Sequence, residues 1–355
     1  MPLERLRLPN LTPLSLVHGP TPLVRRPALD AKLGIELWIK RDDVTGGAEA
    51  GNKVRKLEYL LADAVAKKVD TIITCGGIQS NHARATAILC AQLGMRCVLF
   101  LRVDEGASDD TREVAPRSKL PRTGNVILDR LTGAEIHLIS HADYALRTSV
   151  MESAAQEIYH AGKRPYVIPE GGSNGLGSLG YVDAMREVRT QIDMGLAPSP
   201  AHGAHAPFDC ILHACGSGGT AAGVVLGAAK YGVAPRVRAI AVCDNAAYFE
   251  RAIDRIIAES RGYDPSLDAR AALTVDDSAR GPRYGVMSDA QKDTLAMIAR
   301  TSGVILDPVY TGKAMHGLLQ SIARGDIARG ARVLFLHTGG LPGLLAQGDA
   351  FAEIV

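Results

Sequence analysis

The 355-residue sequence has almost no excess of charge, since 40 basic and 38 acidic side chains leave a formal net charge of +2. It therefore gives no electrostatic reason to expect a nucleic acid or an anionic membrane as a partner. It also has no apolar run approaching the roughly 20 residues that span a bilayer, and no signal-peptide core near its N-terminus. We expect a cytoplasmic protein without a membrane or nucleic-acid partner.

Cysteine motifs are missing as well. The six cysteines form no C-x-x-C pair, and most of them lie in apolar runs such as R-C-V-L-F-L. This usage is typical of buried free thiols in a reducing compartment. We predict neither a disulfide framework nor a metal site.

Short apolar segments alternate with helical ones along most of the chain. The predicted strands are 36–40, 70–77, 97–101, 134–139, 165–169, 210–214, 237–242, 304–307 and 332–337. Near-continuous apolar strands separated by helices predict parallel sheets covered on both faces. Ligands of such sheets bind beyond the carboxyl ends of the strands. The charged segment 102–125 is predicted to be a surface excursion that could cover such a site.

Four of these strands end in glycine-rich or polar groups. The groups are 76–82, 215–223, 308–313 and 337–343. Each alone could be a turn followed by a helix cap. Four at one sheet edge indicate a binding site.

G-S-G-G-T at 216–220 is the clearest of these groups. Its glycines let backbone N–H groups close around an anion at the start of the next helix. A Walker loop is absent, and so is G-x-G-x-x-G in the first βα unit with its acidic partner. A single phosphate is therefore expected here, and a nicotinamide-dependent enzyme is disfavoured.

Two lysines, Lys53 and Lys56, lie at a predicted helix start in A-G-N-K-V-R-K-L-E-Y. They could belong to an ordinary solvated first turn, or one of them could do covalent chemistry. A phosphate cradle together with a lysine is what pyridoxal phosphate requires. The positive helix end and the neighbouring Arg55 and Lys56 would lower the pKa of the Lys53 amine.

Together these motifs resemble the fold-type II pyridoxal-phosphate enzymes, and within them the family of D-cysteine desulfhydrase and 1-aminocyclopropane-1-carboxylate (ACC) deaminase. The shared stretches are P-T-P-L (20–23), K-R-D-D (40–43), G-N-K-V-R-K-L-E (51–58), Q-S-N-H (79–82), G-G-S-N-G-L-G-S-L-G-Y (171–181), G-S-G-G-T (216–220), D-P-V-Y-T-G-K-A-M (307–315) and H-T-G-G (337–340).

The resemblance implies a two-domain α/β fold like the tryptophan synthase β subunit, with open, mostly parallel twisted sheets flanked by helices. The larger domain would comprise residues 1–51 and 173–355, with 52–172 inserted as a smaller α/β domain. Pyridoxal 5'-phosphate would lie between them, and the protein would be a homodimer.

The resemblance also assigns roles near the lysines. Lys53 would bind the cofactor and act as the base, while Lys56 would be auxiliary. Asn81 would hydrogen-bond the phenolic oxygen of the ring. Ser80, Asn81 and His82 would face the substrate, with Ser80 near the substrate carboxylate or carrying a proton.

The remaining roles fall later in the chain. Gly216, Ser217, Gly218, Gly219 and Thr220 would cradle the phosphate. Tyr284 and Tyr310 would be active-site tyrosines. Either Thr311 or Thr338 would meet the ring nitrogen.

The implied reaction is α,β-elimination on a small amino acid, with D-cysteine giving pyruvate, sulfide and ammonia. Alternatives are ACC deamination and elimination from another β-substituted amino acid such as L-cysteate. ACC deaminases have glutamine where this chain has His82 and glutamate where it has Thr311, which favours the desulfhydrase branch. A non-catalytic phosphate-binding domain is disfavoured because Lys53, Ser80 and Asn81 are all present.

Overall fold

The protein is an α/β structure, and the computed structural model describes residues 6, 8, 11–197 and 206–352. The strands are β1 (Leu23–Arg25), β2 (Glu36–Lys40), β3 (Thr71–Gly77), β4 (Arg96–Arg102), β5 (Glu135–Ile139), β6 (Pro165–Val167), β7 (Cys210–Cys215), β8 (Arg236–Ala241), β9 (Ala272–Asp276) and β10 (Arg332–Leu336). The helices are α1 (Pro27–Leu33), α2 (Asn52–Ala66), α3 (Asn81–Gln92), α4 (Gly124–Leu131), α5 (His141–Ala145), α6 (Arg147–His160), α7 (Gly175–Asp193), α8 (Gly219–Lys230), α9 (Ala246–Tyr263), α10 (Asp289–Ser302), α11 (Thr311–Ala323) and α12 (Leu341–Leu345).

The strands form two sheets. The larger has the order β1-β2-β10-β7-β8-β9 and is parallel except for β1, and the smaller has the order β5-β4-β3-β6 and is wholly parallel. Helices connect consecutive parallel strands, as such pairing requires. The predicted fold class is confirmed.

All strands of the smaller sheet fall within 52–172, the segment predicted to be the smaller domain. One buried apolar cluster nevertheless joins the sheets, since it contains Ile72 and Leu99 of the smaller one and Val237 and Leu334 of the larger. Helix α2 packs on α7, so the start of the inserted segment lies against the larger part of the fold.

The prediction of a strand at 304–307 is wrong. Val304 and Leu306 are buried and Ile305 is exposed, which is the alternation of a strand. The backbone groups pair with side chains instead, because Asp307 N donates to Thr311 Oγ1 (2.8 Å) and Ile305 O accepts from His337 Nε2 (2.9 Å). Two short edge strands, β1 and β9, were not predicted.

Of the segment 102–125, which was expected to be able to cover the site, only Arg102 lines the cleft at the binding edge. The backbone of the segment follows the outer edge of β5, where Ser108 N donates to Leu138 O (3.0 Å) and Ala115 N donates to Ile136 O (2.7 Å). An open sheet edge exposes unpaired backbone groups, and this segment covers them. Within the described ranges, no helix is both long and apolar enough to cross a membrane.

A buried cluster of four charges joins β2, α2 and α7. Arg55 on α2 forms a two-pronged ion pair with Asp42 (2.7 and 2.8 Å) and reaches Glu187 on α7 (3.0 Å). Lys40 at the end of β2 binds the same Glu187 and also Gln191 (2.6 Å). The formal charges of the four side chains sum to zero. Burial of a charged group costs much less free energy when the group is paired with an opposite charge.

We predict that Arg55→Met lowers the free energy of unfolding by about 3–5 kcal/mol, because it leaves Asp42 and Glu187 buried without their main cation. Chemical denaturation of the variant measures this. Arg96→Met is the matched control, because Arg96 forms an exposed pair with Glu135 and such pairs contribute about 0–1 kcal/mol. Equal losses in the two variants would contradict the importance of the cluster.

Candidate active site

The site lies at the carboxyl ends of β3, β7 and β10, where the motifs meet. An inner pocket is lined by Asn52, Lys53, Asn81, Ala214, Cys215, Gly216, Ser217, Gly218, Thr220, Ala221, Tyr310 and Thr338. It adjoins a cleft of about 820 Å³ whose walls include Lys53, Gly76, Ser80, His82 and Tyr284. Of the predicted site residues, all but Gly219 and Thr311 line one of these two spaces.

Lys53 occupies the first turn of α2, and the backbone before it is tightly fixed. Gly51 has φ +134°, and a Cβ there would lie 3.1 Å from Thr338 O. The next residue, Asn52, donates its backbone N–H to the same Thr338 oxygen (3.1 Å). These bonds hold the lysine against the 337–340 loop.

Burial is the main cause that lowers the pKa of Lys53, to about 8, while the nearby Glu170 carboxylate opposes the shift. The expected contribution of Arg55 is not found, because Arg55 points to the opposite side of α2 and binds Asp42. A lysine with this pKa has a much larger neutral fraction near physiological pH than an ordinary lysine, and the neutral form is the one that acts as a nucleophile or base.

Lys56 lies one turn further along α2 and is buried. Its Nζ donates to Gly171 O (3.0 Å) and Ser173 Oγ (3.1 Å), and burial holds its pKa well below the usual range. Lys56 thus supports the 171–173 loop beside the glycine-rich turn, and its amine is engaged in that contact.

The glycine-rich turn 216–220 forms a compact cradle at the start of α8. Gly218 has φ +85°, a conformation that L side chains rarely adopt. A Cβ on Gly219 would lie 2.7 Å from Ser173 Oγ, so the close approach requires glycine. Ser217 Oγ shares a hydrogen bond with Ser173 Oγ (2.8 Å), and Thr220 Oγ1 accepts from Asn52 Nδ2 (3.1 Å). Backbone N–H groups at a helix start favour an anion such as phosphate.

Ser80, Asn81 and His82 begin α3. Ser80 Oγ accepts from Ala83 N (3.2 Å) as the helix N-cap, and a Cβ on Gly76 would collide with that hydroxyl. His82 Nε2 contacts Thr74 Oγ1 (2.9 Å), whose own proton is donated to Ile168 O (2.8 Å). His82 Nε2 therefore carries a hydrogen, and burial keeps the pKa of the ring well below its usual range.

Tyr284 and Tyr310 form a hydroxyl pair across the cleft. Their oxygens lie 2.6 Å apart, and the rings meet edge to face. Burial raises the pKa of both phenols, so both are protonated at neutral pH. Gly77 and Gly216 leave the space that these two rings occupy.

Of the two threonines expected near the ring nitrogen, only Thr338 lines the inner pocket. Thr311 is fully buried, and its hydroxyl donates to Asp307 Oδ1 (2.6 Å) while accepting from Asp307 N (2.8 Å). The expectation that Thr311 faces a ligand is thus corrected, because its side chain is used to cap the turn before α11.

Sequence analysis missed some residues that shape the site. Lys313 is buried on α11 and donates to the backbone oxygens of Val242, Arg280 and Arg283 (3.2, 2.6 and 2.9 Å), which anchors the loop carrying Tyr284. The lysine stands in the motif D-P-V-Y-T-G-K, but nothing in the motif indicates that three distant carbonyl groups converge on it.

Comparison with known proteins agrees with this geometry. Residues 14–339 match the family model described as "Pyridoxal-phosphate dependent enzyme". The chain belongs to the pyridoxal-phosphate dependent enzymes. It is 40% identical to a bifunctional D-cysteine desulfhydrase/ACC deaminase of Arabidopsis thaliana, over 98% of this chain and 82% of that protein.

Two further relatives of this pyridoxal-phosphate enzyme bear on its function. A D-cysteine desulfhydrase of Salmonella schwarzengrund is 38% identical, with 98% of each chain covered. A crystal structure of an ACC deaminase homologue superposes with a TM-score of 0.81 at 33% identity, covering 97% of each chain.

The residues present fit the cofactor. The cradle would hold its phosphate, the Lys53 amine its aldehyde carbon, Asn81 its phenolic oxygen and Thr338 its ring nitrogen. The fit rests on the positive φ of Gly218, the crowding around Gly219 and the depressed pKa of Lys53.

We predict that the rate at which the apoprotein takes up pyridoxal phosphate rises with pH and levels off above about pH 8. The reason is that only the neutral Lys53 amine attacks an aldehyde, and its pKa is about 8. Stopped-flow absorbance in the near-visible measures this rate. The Lys53→Arg variant should develop no such band, and a wild-type rate still climbing toward the ordinary lysine pKa of 10.5 would refute the assignment.

Proposed function

We propose that the enzyme catalyses α,β-elimination on D-cysteine, which with one water gives pyruvate, hydrogen sulfide and ammonia. The observation that carries the proposal is a lysine of depressed pKa at the base of a cleft whose inner pocket has no carboxylate among its described lining residues. Relatives with the same named activity are similar to this chain over 98% of its length.

When bound, pyridoxal phosphate supplies an electron sink for negative charge at the substrate Cα. Lys53, in its neutral form, removes the Cα proton. The Ser80 hydroxyl, whose oxygen already accepts from Ala83 N, keeps its proton to donate to the substrate carboxylate. The Tyr284–Tyr310 pair has one hydroxyl proton beyond the one it shares, and this proton can be donated to the leaving sulfur.

ACC deamination is a weaker candidate. ACC has no Cα proton for Lys53 to remove, so its ring opening needs stronger electron withdrawal by the cofactor, which a carboxylate at the ring nitrogen would give. Thr338 offers that position a neutral hydroxyl instead. Asp307 is the nearest acid in sequence to Tyr310, but it accepts the backbone N–H groups of Val309, Tyr310 and Thr311.

L-Cysteate, whose β-substituent is an anionic sulfonate, is a second candidate because of Arg102. This half-buried side chain lines the cleft and lies over the rings of Tyr144 (5.0 Å) and Tyr284 (5.5 Å). Within the described chain it pairs with no carboxylate, unlike Arg147, which binds Glu170. A guanidinium stacked on aromatic rings is well suited to an anion.

The test is the release of 2-oxo acids by the purified holoenzyme, with pyruvate measured for D-cysteine, L-cysteine and L-cysteate and 2-oxobutyrate for ACC. We expect D-cysteine to give pyruvate and sulfide, and Lys53→Ala to give neither. Formation of 2-oxobutyrate from ACC at the highest kcat/KM would replace the proposal by the deaminase activity. No turnover of any of the four would refute it.

Arg102→Gln separates the two elimination substrates. If the guanidinium binds the sulfonate, the ratio of kcat/KM for L-cysteate to that for D-cysteine falls by about tenfold, the value of one charge-assisted hydrogen bond. If the ratio is unchanged, Arg102 does not bind the sulfonate, and the structural argument for L-cysteate as a substrate is lost.

We also propose that the enzyme is a homodimer with the domain division given above. Four exposed aliphatic side chains on the packed helices α4 and α12 support a self-association surface: Ile127, Leu131, Leu341 and Leu345. Exposed aliphatic side chains grouped on two packed helices are typical of protein interfaces. The cytoplasmic location stays a prediction, supported by six free cysteines.

We predict that Leu131→Glu combined with Leu345→Glu yields monomers, because two carboxylates would have to be desolvated in the interface. Light scattering after size-exclusion chromatography gives the mass. Leu146→Glu is the control, since Leu146 is 65% exposed on the helix pair α5–α6 and lies outside the self-association surface. If the double variant is still a dimer, the interface is not formed by these side chains of α4 and α12.

A further inference from the structure

Asn81 can donate a hydrogen bond to the cofactor only if the NH2 end of its side-chain amide faces the inner pocket. One end of the amide is an acceptor oxygen and the other is a donor NH2 group, and the two have nearly the same shape. Only the NH2 end can donate to an anionic ring oxygen. Some neighbouring group must therefore select the orientation.

Asn125, in the first turn of α4, makes the contact that selects it. Its side chain is fully buried, and Asn125 Nδ2 donates to Gln79 O (2.8 Å) and to Asn81 Oδ1 (3.1 Å). The backbone oxygen of Gln79 can only accept, so the Asn125 NH2 group must face it. The second hydrogen of that NH2 group then requires an acceptor, which is the oxygen end of Asn81.

The backbone of Asn125 is also held in place, by the side chain of Gln79. Asn125 N donates to Gln79 Oε1 (2.7 Å), and Gln79 Nε2 donates to Thr123 O (3.3 Å). Asn125 Oδ1 is buried and has no hydrogen-bond partner within the described ranges. If the Asn125 amide were reversed, its Oδ1 would face Gln79 O and Asn81 Oδ1, and all three of these oxygens are acceptors.

We propose that Asn125 is a positioning residue that holds Asn81 with its NH2 group toward the inner pocket, where it donates to the phenolic oxygen of bound pyridoxal phosphate. The inference concerns cofactor binding and does not depend on which amino acid is the substrate. It gives a function to the end of the segment 102–125, which was predicted from the sequence to be a surface excursion that could cover the site.

A double-mutant cycle tests the proposal, with the Kd of the apoprotein for pyridoxal phosphate as the readout. Asn125→Asp replaces the donor by acceptors, so Asn81 turns its NH2 group toward residue 125 and its oxygen toward the pocket. We expect Kd to rise about tenfold, the equivalent of one lost hydrogen bond. Asn125→Ala leaves Asn81 unrestrained without reversing it, and Kd should rise less.

The Asn81→Ala background separates positioning from a general structural effect. There, Asn125→Asp should change Kd by less than about twofold, because the group through which it acts is gone. The near-visible absorbance maximum of the bound cofactor should also shift in Asn125→Asp in the direction seen for Asn81→Ala. Equal losses of affinity in the two backgrounds, or a larger loss for alanine than for aspartate, would overturn the proposal.

Asn245→Asp is the matched control. Asn245 caps α9 and its side chain accepts from Tyr248 N, a bond that aspartate also makes. The Kd of the Asn245→Asp apoprotein for pyridoxal phosphate should equal that of the wild type. If Asn125→Asp does not fold, the cycle with Asn125→Ala decides the question by the same criterion of additivity.

Discussion

The buried charge cluster of Lys40, Asp42, Arg55 and Glu187 is the constraint on which the site depends. It ties the end of β2 to the first turns of α2 and to α7. Partial neutralisation would leave a charge buried without its partner, so the three elements keep one relative position. Because residues two apart on a helix point to nearly opposite sides, the fixed Arg55 directs Lys53 into the cleft.

The basic groups of the site differ from the charges of this cluster, because burial lowers their pKa values instead of being offset by an ion pair. Arg55 and Asp42 stay ionised because they face one another, and Arg55 holds the pKa of Asp42 below its usual range despite burial. Within the part of the chain that the structure describes, Lys53, Lys56 and His82 form no ion pair, and burial lowers the pKa of all three. The first turns of α2 thus contain both a permanently charged anchor, Arg55, and an amine of lowered pKa, Lys53.

Much of this could be predicted from the sequence, because strand periodicity and the glycine-rich turns are local signals. The 216–220 cradle and the start of α2 follow from residues within one turn of each other. Features that depend on distant partners could not be predicted in this way. The sequence does not distinguish Thr311 from Thr338 as the threonine of the inner pocket. In the structure the Thr311 hydroxyl is bound to Asp307, and Thr338 lines the pocket. Residues 304–307 have the alternation of a strand, but their backbone groups find side-chain partners.

The site draws its lining groups from both sheets. The cradle and Thr338 follow strands β7 and β10 of the larger sheet, whereas Ser80, His82 and Arg102 follow β3 or end β4 in the smaller one. Helix α2 bridges them, since Asn52 binds Thr338 O and Thr220 Oγ1 while Lys56 binds the loop after β6. Substitutions at the ends of β3 and β4 can therefore reshape the cleft without altering the backbone of the 216–220 cradle, which follows β7.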